Sequence, residues 1–106
     1  MKKSLVLKQK HREHQTVWHL QGDLVVEETA SLREVFYQWV EDSRVRVLVM
    51  DMLQLNRIDA AGISLLISFQ NVMNKRKKTL KIRRVPQRVY ALFARTSLNL
   101  YFDIKK

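Results

Sequence analysis

The stretch from Val45 to Leu66 constrains the fold more than any other part of the chain. Val45, Val47 and Val49 are β-branched and alternate, while Leu48 and Met50 make the second face apolar as well. Residues 45–51 therefore read as a strand covered on both sides. A short connection follows, and Arg57-Ile58-Asp59-Ala60-Ala61-Gly62 leads into the helical run Ile63-Ser64-Leu65-Leu66. Asp59 is the N-cap of that helix, because a carboxylate there accepts from amides that the first turn leaves free. The spacing predicts a helix starting at Ala60 or Ala61.

The remaining elements follow from periodicity. Ser4 to Lys10 and Thr16 to Gln21 read as strands around a polar turn at Arg12, Glu13 and His14. Gly22 and Asp23 read as a turn that closes this β-region. Glu27 and Glu28 suit a helix N-terminus, and Leu32, Val35, Phe36, Trp39 and Val40 give that helix one apolar face. Asp42-Ser43-Arg44 returns the chain to the central strand. The second helix carries a broad apolar face (Ile63, Leu66, Ile67, Phe69, Gln70, Met73) and ends in the cations Lys75 to Lys78. Leu80 to Val85 is a further strand, and Pro86 opens a third helix through Arg95 with Val89, Leu92 and Phe93 inward. The tail from Leu98 to Ile104 is apolar enough to pack back. The order ββαβαβα implies one α/β domain over residues 1–106. Its sheet has four to five strands, mainly parallel or mixed, with helices packed on it and the first strand at an edge.

Composition narrows the function classes. With 46% hydrophobic residues in 106, a packed core is expected. The absence of cysteine excludes disulfides and thiolate metal sites. The basic start, Met1 to Lys8, has too short an apolar run for a signal peptide. The longest apolar stretch, Ile63 to Phe69, falls far below the roughly 20 residues of a membrane span. A cytoplasmic protein is expected. His11, His14 and His19 do not complete a metal site, and Trp18, Trp39, Phe36 and Phe69 read as core. Asp51 and Asp59 have no nucleophile or histidine spaced to join them, and two glycines leave little room for a phosphate loop. Neither enzyme activity nor a cofactor is expected.

Three segments carry a resemblance to the STAS domain, the family named for sulfate transporters and anti-sigma factor antagonists. Asp51, eight residues before Asp59-Ala60-Ala61-Gly62, resembles the family's strand-end Asp followed by Asp-Ser-Ser-Gly at a helix start. Leu20-Gln21-Gly22-Asp23-Leu24 is similar to its Leu-x-Gly-(Glu/Asp)-Leu turn, and Thr96 to Ile104 to its Thr-Gly-Leu…Leu-Phe-x-Ile ending. The resemblance implies a module that binds other proteins through Gly22, Asp23, Leu24, Arg57, Asp59, Ala60, Ala61, Gly62 and Ser64. It also implies phosphorylation of the first Ser or Thr after the motif's Asp. That position is Ala60 here and the next is Ala61, and neither has a hydroxyl. Ser64 lies further into the helix and is a poor substitute. Arg57 replaces an apolar residue and puts a cation beside the site.

Charge is unevenly spread. The formal net charge is +10, and no acid occurs from Ala60 to Phe102. Lys75, Arg76, Lys77, Lys78, Lys81, Arg83 and Arg84 fall in that span, followed by Arg88 and Arg95. Such a patch is either a solvated rim or an attractor of an acidic protein or lipid headgroups. Without exposed aromatics interleaved, nucleic acid is not the expected partner. Two functions stay open. One is an anti-sigma factor antagonist-like regulator that binds an anti-sigma factor or serine kinase. The other is an accessory subunit on the ATPase of a phospholipid ABC transporter, near the membrane's inner face. Arg57-Ile58-Asp59 resembles the Arg-Val-Asp of such subunits.

Overall fold

A computed structural model describes residues 3–42 and 44–106. Met1 and Lys2 of the basic start and Ser43 of the return to the central strand lie outside the described residues. Five strands form one sheet in chain order: β1 (Val6–His11), β2 (Thr16–Leu24), β3 (Val47–Ile58), β4 (Thr79–Arg83) and β5 (Asp103–Ile104). β1 is the edge strand and runs antiparallel to β2, while the other three pairings are parallel. The helices α1 (Val26–Asp42), α2 (Ala60–Lys75) and α3 (Gln87–Arg95) connect the parallel strands, and the tail packs back as a 3-10 turn (Leu98–Leu100) and β5.

That topology corrects one expectation. A right-handed crossover between neighbouring parallel strands, repeated in one direction across a sheet, puts every helix on the same face. The buried side chains agree. Phe36 and Trp39 of α1, Leu66 and Phe69 of α2, and Val89 and Phe93 of α3 share one core with Trp18, Met50 and Ile82. Phe36 and Phe69 stack there with centroids 3.9 Å apart. Leu48, Met50 and Met52 of β3 are fully buried beneath the helices. On the other face, Lys8, His19, Asp51 and Arg83 occupy one row across β1 to β4. Leu53 on that face is 53% exposed. The central strand is covered on one side only. Val47 and Val49 look like buried positions in sequence, yet they are half-buried on the open side.

Three boundaries also move. Residues 52–58, expected as a connection, continue β3 to Ile58, because β2 is long enough to pair with them. Gly22 and Asp23 are not a turn but lie inside β2, where Gly22 adopts φ +101° and the register shifts. β3 holds the extra residues opposite β2 there, and on the facing strand Gly22 takes a positive φ that costs glycine no Cβ clash. β4 stops at Arg83 rather than Val85, since Arg84 turns into the left-handed region with φ 54°. Among the described residues, no helix is long and apolar enough to cross a membrane.

Candidate functional site

The C-terminal ends of β2 and β3 bring the starts of α1 and α2 together, and Asp59 joins them. Its Oδ1 accepts from the Gly62 amide at 2.9 Å, as an N-cap does. Its Oδ2 accepts from the Val26 amide at 3.1 Å, in the first turn of α1. One carboxylate therefore satisfies a free amide from each of two helices and faces the positive ends of both dipoles. The helix begins at Ala60, as the spacing predicts. Asp59 is explained here by the fold itself.

Gly62 is what lets α2 come so close. A Cβ at that position would lie 2.4 Å from the Leu24 carbonyl oxygen and 2.8 Å from the Ile58 side chain. A Cβ on Gly22 would lie 2.2 Å from the Ser4 carbonyl oxygen. Both glycines are buried contacts between backbones. Asp23 is buried as well, and its carboxylate collects three donors. The Lys3 amide donates to it at 2.7 Å, Asn56 Nδ2 at 2.8 Å and Arg57 Nε at 3.1 Å. The Lys3 amide chiefly, with Asn56 and Arg57, outweighs burial and lowers the Asp23 pKa to about 2.

The residues singled out for partner contact thus divide. Gly22, Asp23, Leu24 and Gly62 are buried and brace the corner from beneath. Arg57, Ala60 and Ser64 are exposed on it, with Asp59 and Ala61 half-buried among them. Arg57 is held to Asp23 while its side chain stays 58% exposed. Val26, at the start of α1, is 59% exposed beside Asp59 and carried no signal in the sequence.

The expected basic patch is not one surface. Lys75, Arg76, Lys77 and Lys78 sit before β4 and Arg83 and Arg84 at its far end, five strand residues away. Arg76 pairs with Glu41, Arg83 with Asp103 at 3.0 Å, and Arg84 with Asp51. Lys78 belongs to no solvated rim. It is 9% exposed, its Nζ donates to the Val45 carbonyl at 2.9 Å, and it lies 4.7 Å from the Trp39 ring centroid. Burial lowers its pKa, and Arg46 and Arg76 lower it further. Lys81 instead joins Lys10 on the open face of the sheet.

The histidines do not converge. His11 Nδ1 lies 3.3 Å from Thr16 Oγ1, His14 lies beside Glu13, and His19 is 3.2 Å from Asp51. Sequence reasoning missed Lys3, which the fold brings to Arg84 and Arg88 of the expected patch. Lys3, Arg84 and Arg88 line one groove, although 81 residues separate the first two along the chain. The alternation of Lys8 and Lys10 on β1, and of His19 and Gln21 on β2, is the local sign that this face of the sheet is polar.

A family model described as Mlab, STAS domain matches residues 7–101. Among solved structures, an anti-sigma factor antagonist from Mycobacterium paratuberculosis superimposes with TM-score 0.83 at 16% identity. The match covers 95% of this chain and 85% of that one. The Bacillus cell fate determinant SpoIIAA, in its phosphorylated form, gives TM-score 0.72 at 13% identity, over 97% and 92% of the two chains. A sulfate transporter family protein from Wolinella succinogenes gives 0.70 at 18% identity, over 90% and 81%. No curated protein matches the chain. The structural likenesses are of fold, and the family model spans all but the two ends: the chain belongs to the STAS domain family.

Proposed function

We propose that this protein is a non-enzymatic binding module that grips a protein partner with the corner where α1 and α2 begin. The observation that carries the reading is the shared cap. Asp59 ties two helix starts into one rigid edge, and that edge presents the small or short residues Ala60, Ala61 and Ser64 beside Arg57. Small side chains on a braced edge let a partner approach the backbone closely. Structural neighbours that are anti-sigma factor antagonists support a regulatory partner, an anti-sigma factor or its serine kinase. Ala60 cannot accept a phosphate, so occupancy of this partner is not switched at the motif.

A second reading is favoured by the neighbour from a sulfate transporter family and by Arg57-Ile58-Asp59. It makes the chain an accessory subunit on the ATPase of a phospholipid ABC transporter, using the same corner. One experiment tests both. Tagged protein is used to pull down partners from native lysate and is compared with Ala60→Arg, a change at an exposed position that leaves the core alone. Recovery of a serine kinase or anti-sigma factor, or of a transport ATPase, lost in Ala60→Arg, supports the corner and selects the reading. Undiminished recovery by the variant removes it. Intact mass of the native protein is expected to show no phosphate on residues 59–64.

A further inference from the structure

The open face of the sheet rises into a groove of about 740 Å³ along the C-terminal edge of β3 and β4. A space of that size suits a small organic ligand. Its charged side chains are Lys3, Arg84, Arg88 and Lys106, with no Asp or Glu among the described lining residues. Two acids border it: Asp23, buried and held by the Lys3 amide, Asn56 and Arg57, and Asp51, in the adjoining hollow with Lys8, Lys10 and His19 and held by Arg84. The cations therefore outnumber the acids here, and the field favours an anion.

Donors remain for one. Arg84 engages Asp51 through Nε and Nη2, and Arg88 engages the Leu55 and Asn56 carbonyls through Nη2. Among the described residues, nothing accepts from Nη1 of either arginine or from the Lys3 ammonium. Lys106 Nζ donates to Gln87 Oε1. Arg84 also has a left-handed backbone, φ 54°, which bulky residues seldom adopt without a structural or functional cause. That backbone breaks β4 and leaves the guanidinium beside Asp51.

The groove is not only cationic. Val6 and Leu53 line it while 45% and 53% exposed, and Val85 and Pro86 continue its apolar wall. Exposed aliphatic side chains bordered by free cationic donors match a ligand with an oxyanion at one end and hydrocarbon at the other. We propose that this groove binds a small anionic amphiphile, with its phosphate or carboxylate head on Lys3, Arg84 and Arg88 and its apolar body on Val6 and Leu53. The groove shares Gly22 with the underside of the Ala60 corner but is not lined by Ala60, so Ala60→Arg tests the corner and Arg88→Gln tests the groove.

Octyl phosphate, titrated into the full chain below its micelle concentration and followed by amide chemical shifts, is the direct test. Saturable shifts at residues 53–56 and 84–88 are expected, weakened about tenfold by Arg88→Gln and again by Lys3→Gln, since each removes a charged donor. Thermal melting of each variant confirms that it is folded. Inorganic phosphate is expected to bind far more weakly than octyl phosphate, and octyl glucoside not to bind. Sedimentation with anionic phospholipid vesicles identifies the source. Co-sedimentation lost in Arg88→Gln assigns a lipid headgroup, and octyl phosphate binding without it assigns a soluble ligand. The proposal is overturned if octyl phosphate leaves those amides unmoved, if Arg88→Gln and Lys3→Gln bind it as well as the parent, or if either control matches it.

Discussion

The two faces of the sheet are made by the same strands and hold together by different physics. Beneath the helices, Trp18, Met50, Met52 and Ile82 are excluded from water and touch Phe36, Phe69 and Phe93. Each such side chain contributes roughly 1.5–3 kcal/mol by leaving water. Across the same backbone, Lys8, His19, Asp51 and Arg83 form a row in which charge pairs replace packing, and Leu53 faces solvent. The difference is topological. Monotonic strand order with crossovers of one hand commits all helices to one side, leaving the other for solvent or a ligand. Stability should therefore reside on one face and recognition on the other face and at the strand ends.

Paired truncations put that division at risk most directly. Phe69→Ala removes one member of the ring stack and is expected to cost about 3–5 kcal/mol in urea denaturation. Leu53→Ala, an equally apolar position on the open face, is expected to stay within about 0.5 kcal/mol. Similar losses from both would mean that something covers the open face in solution. Next in size comes Gly62→Ala. Its methyl would meet the Leu24 carbonyl at 2.4 Å, so α2 must shift, at a cost of about 1–3 kcal/mol. A neutral result would show that the corner is softer than its geometry. For that reason Gly62 is a poor place to probe partner binding, and the exposed Ala60 a good one.

How much of this was legible follows from the range over which each feature is encoded. The order of elements, the α1 core positions and the Asp59 cap were readable, because each depends on residues within a few turns of one another. On α2, Leu66, Phe69, Gln70 and Met73 are buried as read, while Ile63 and Ile67 are half-buried and Leu65 fills the core. The one-sided sheet was not readable. Val47 to Met50 is apolar on both faces, and only the strand order decides which face the helices cover. Gly22-Asp23 has turn chemistry, and only pairing with a long β3 keeps it in a strand. Lys78 read as one more solvated cation because the Trp39 ring and the Val45 carbonyl that hold it are distant in sequence. The site divided in the same manner. Asp59 declared itself locally, whereas the fixing of Asp23 by Lys3, Asn56 and Arg57 is a tertiary fact.

The strand ends and the open face can be compared through acid. The Asp23 pKa is lowered to about 2 from 3.8, so the unfolded chain binds the proton more readily. Its contribution is present above about pH 4 and fades as the pH falls toward 2. Urea midpoints measured downward from pH 5 are expected to drop over that interval, and Asp23→Asn to flatten the drop while lowering stability throughout. A parallel curve in the variant would mean that the carboxylate is not held as its three donors indicate.

Asp51 supplies the smallest and sharpest contrast. Burial raises its pKa, but donation from Arg84 and the Leu53 amide, with the charges of Arg84 and His19, brings the net shift below the usual value. The sign of the acid effect is therefore the same as for Asp23, stability lost as the pH falls. The size differs, because Arg84 is 55% exposed and water screens the pair. Asp51→Asn is expected to cost at most about 1 kcal/mol at low salt, and less at high salt as the ions are screened further. Because the change also frees Arg84, octyl phosphate should bind Asp51→Asn more tightly than it binds the parent. A loss of stability with no gain in anion affinity would mean that Asp51 positions Arg84 for its ligand instead of competing with that ligand.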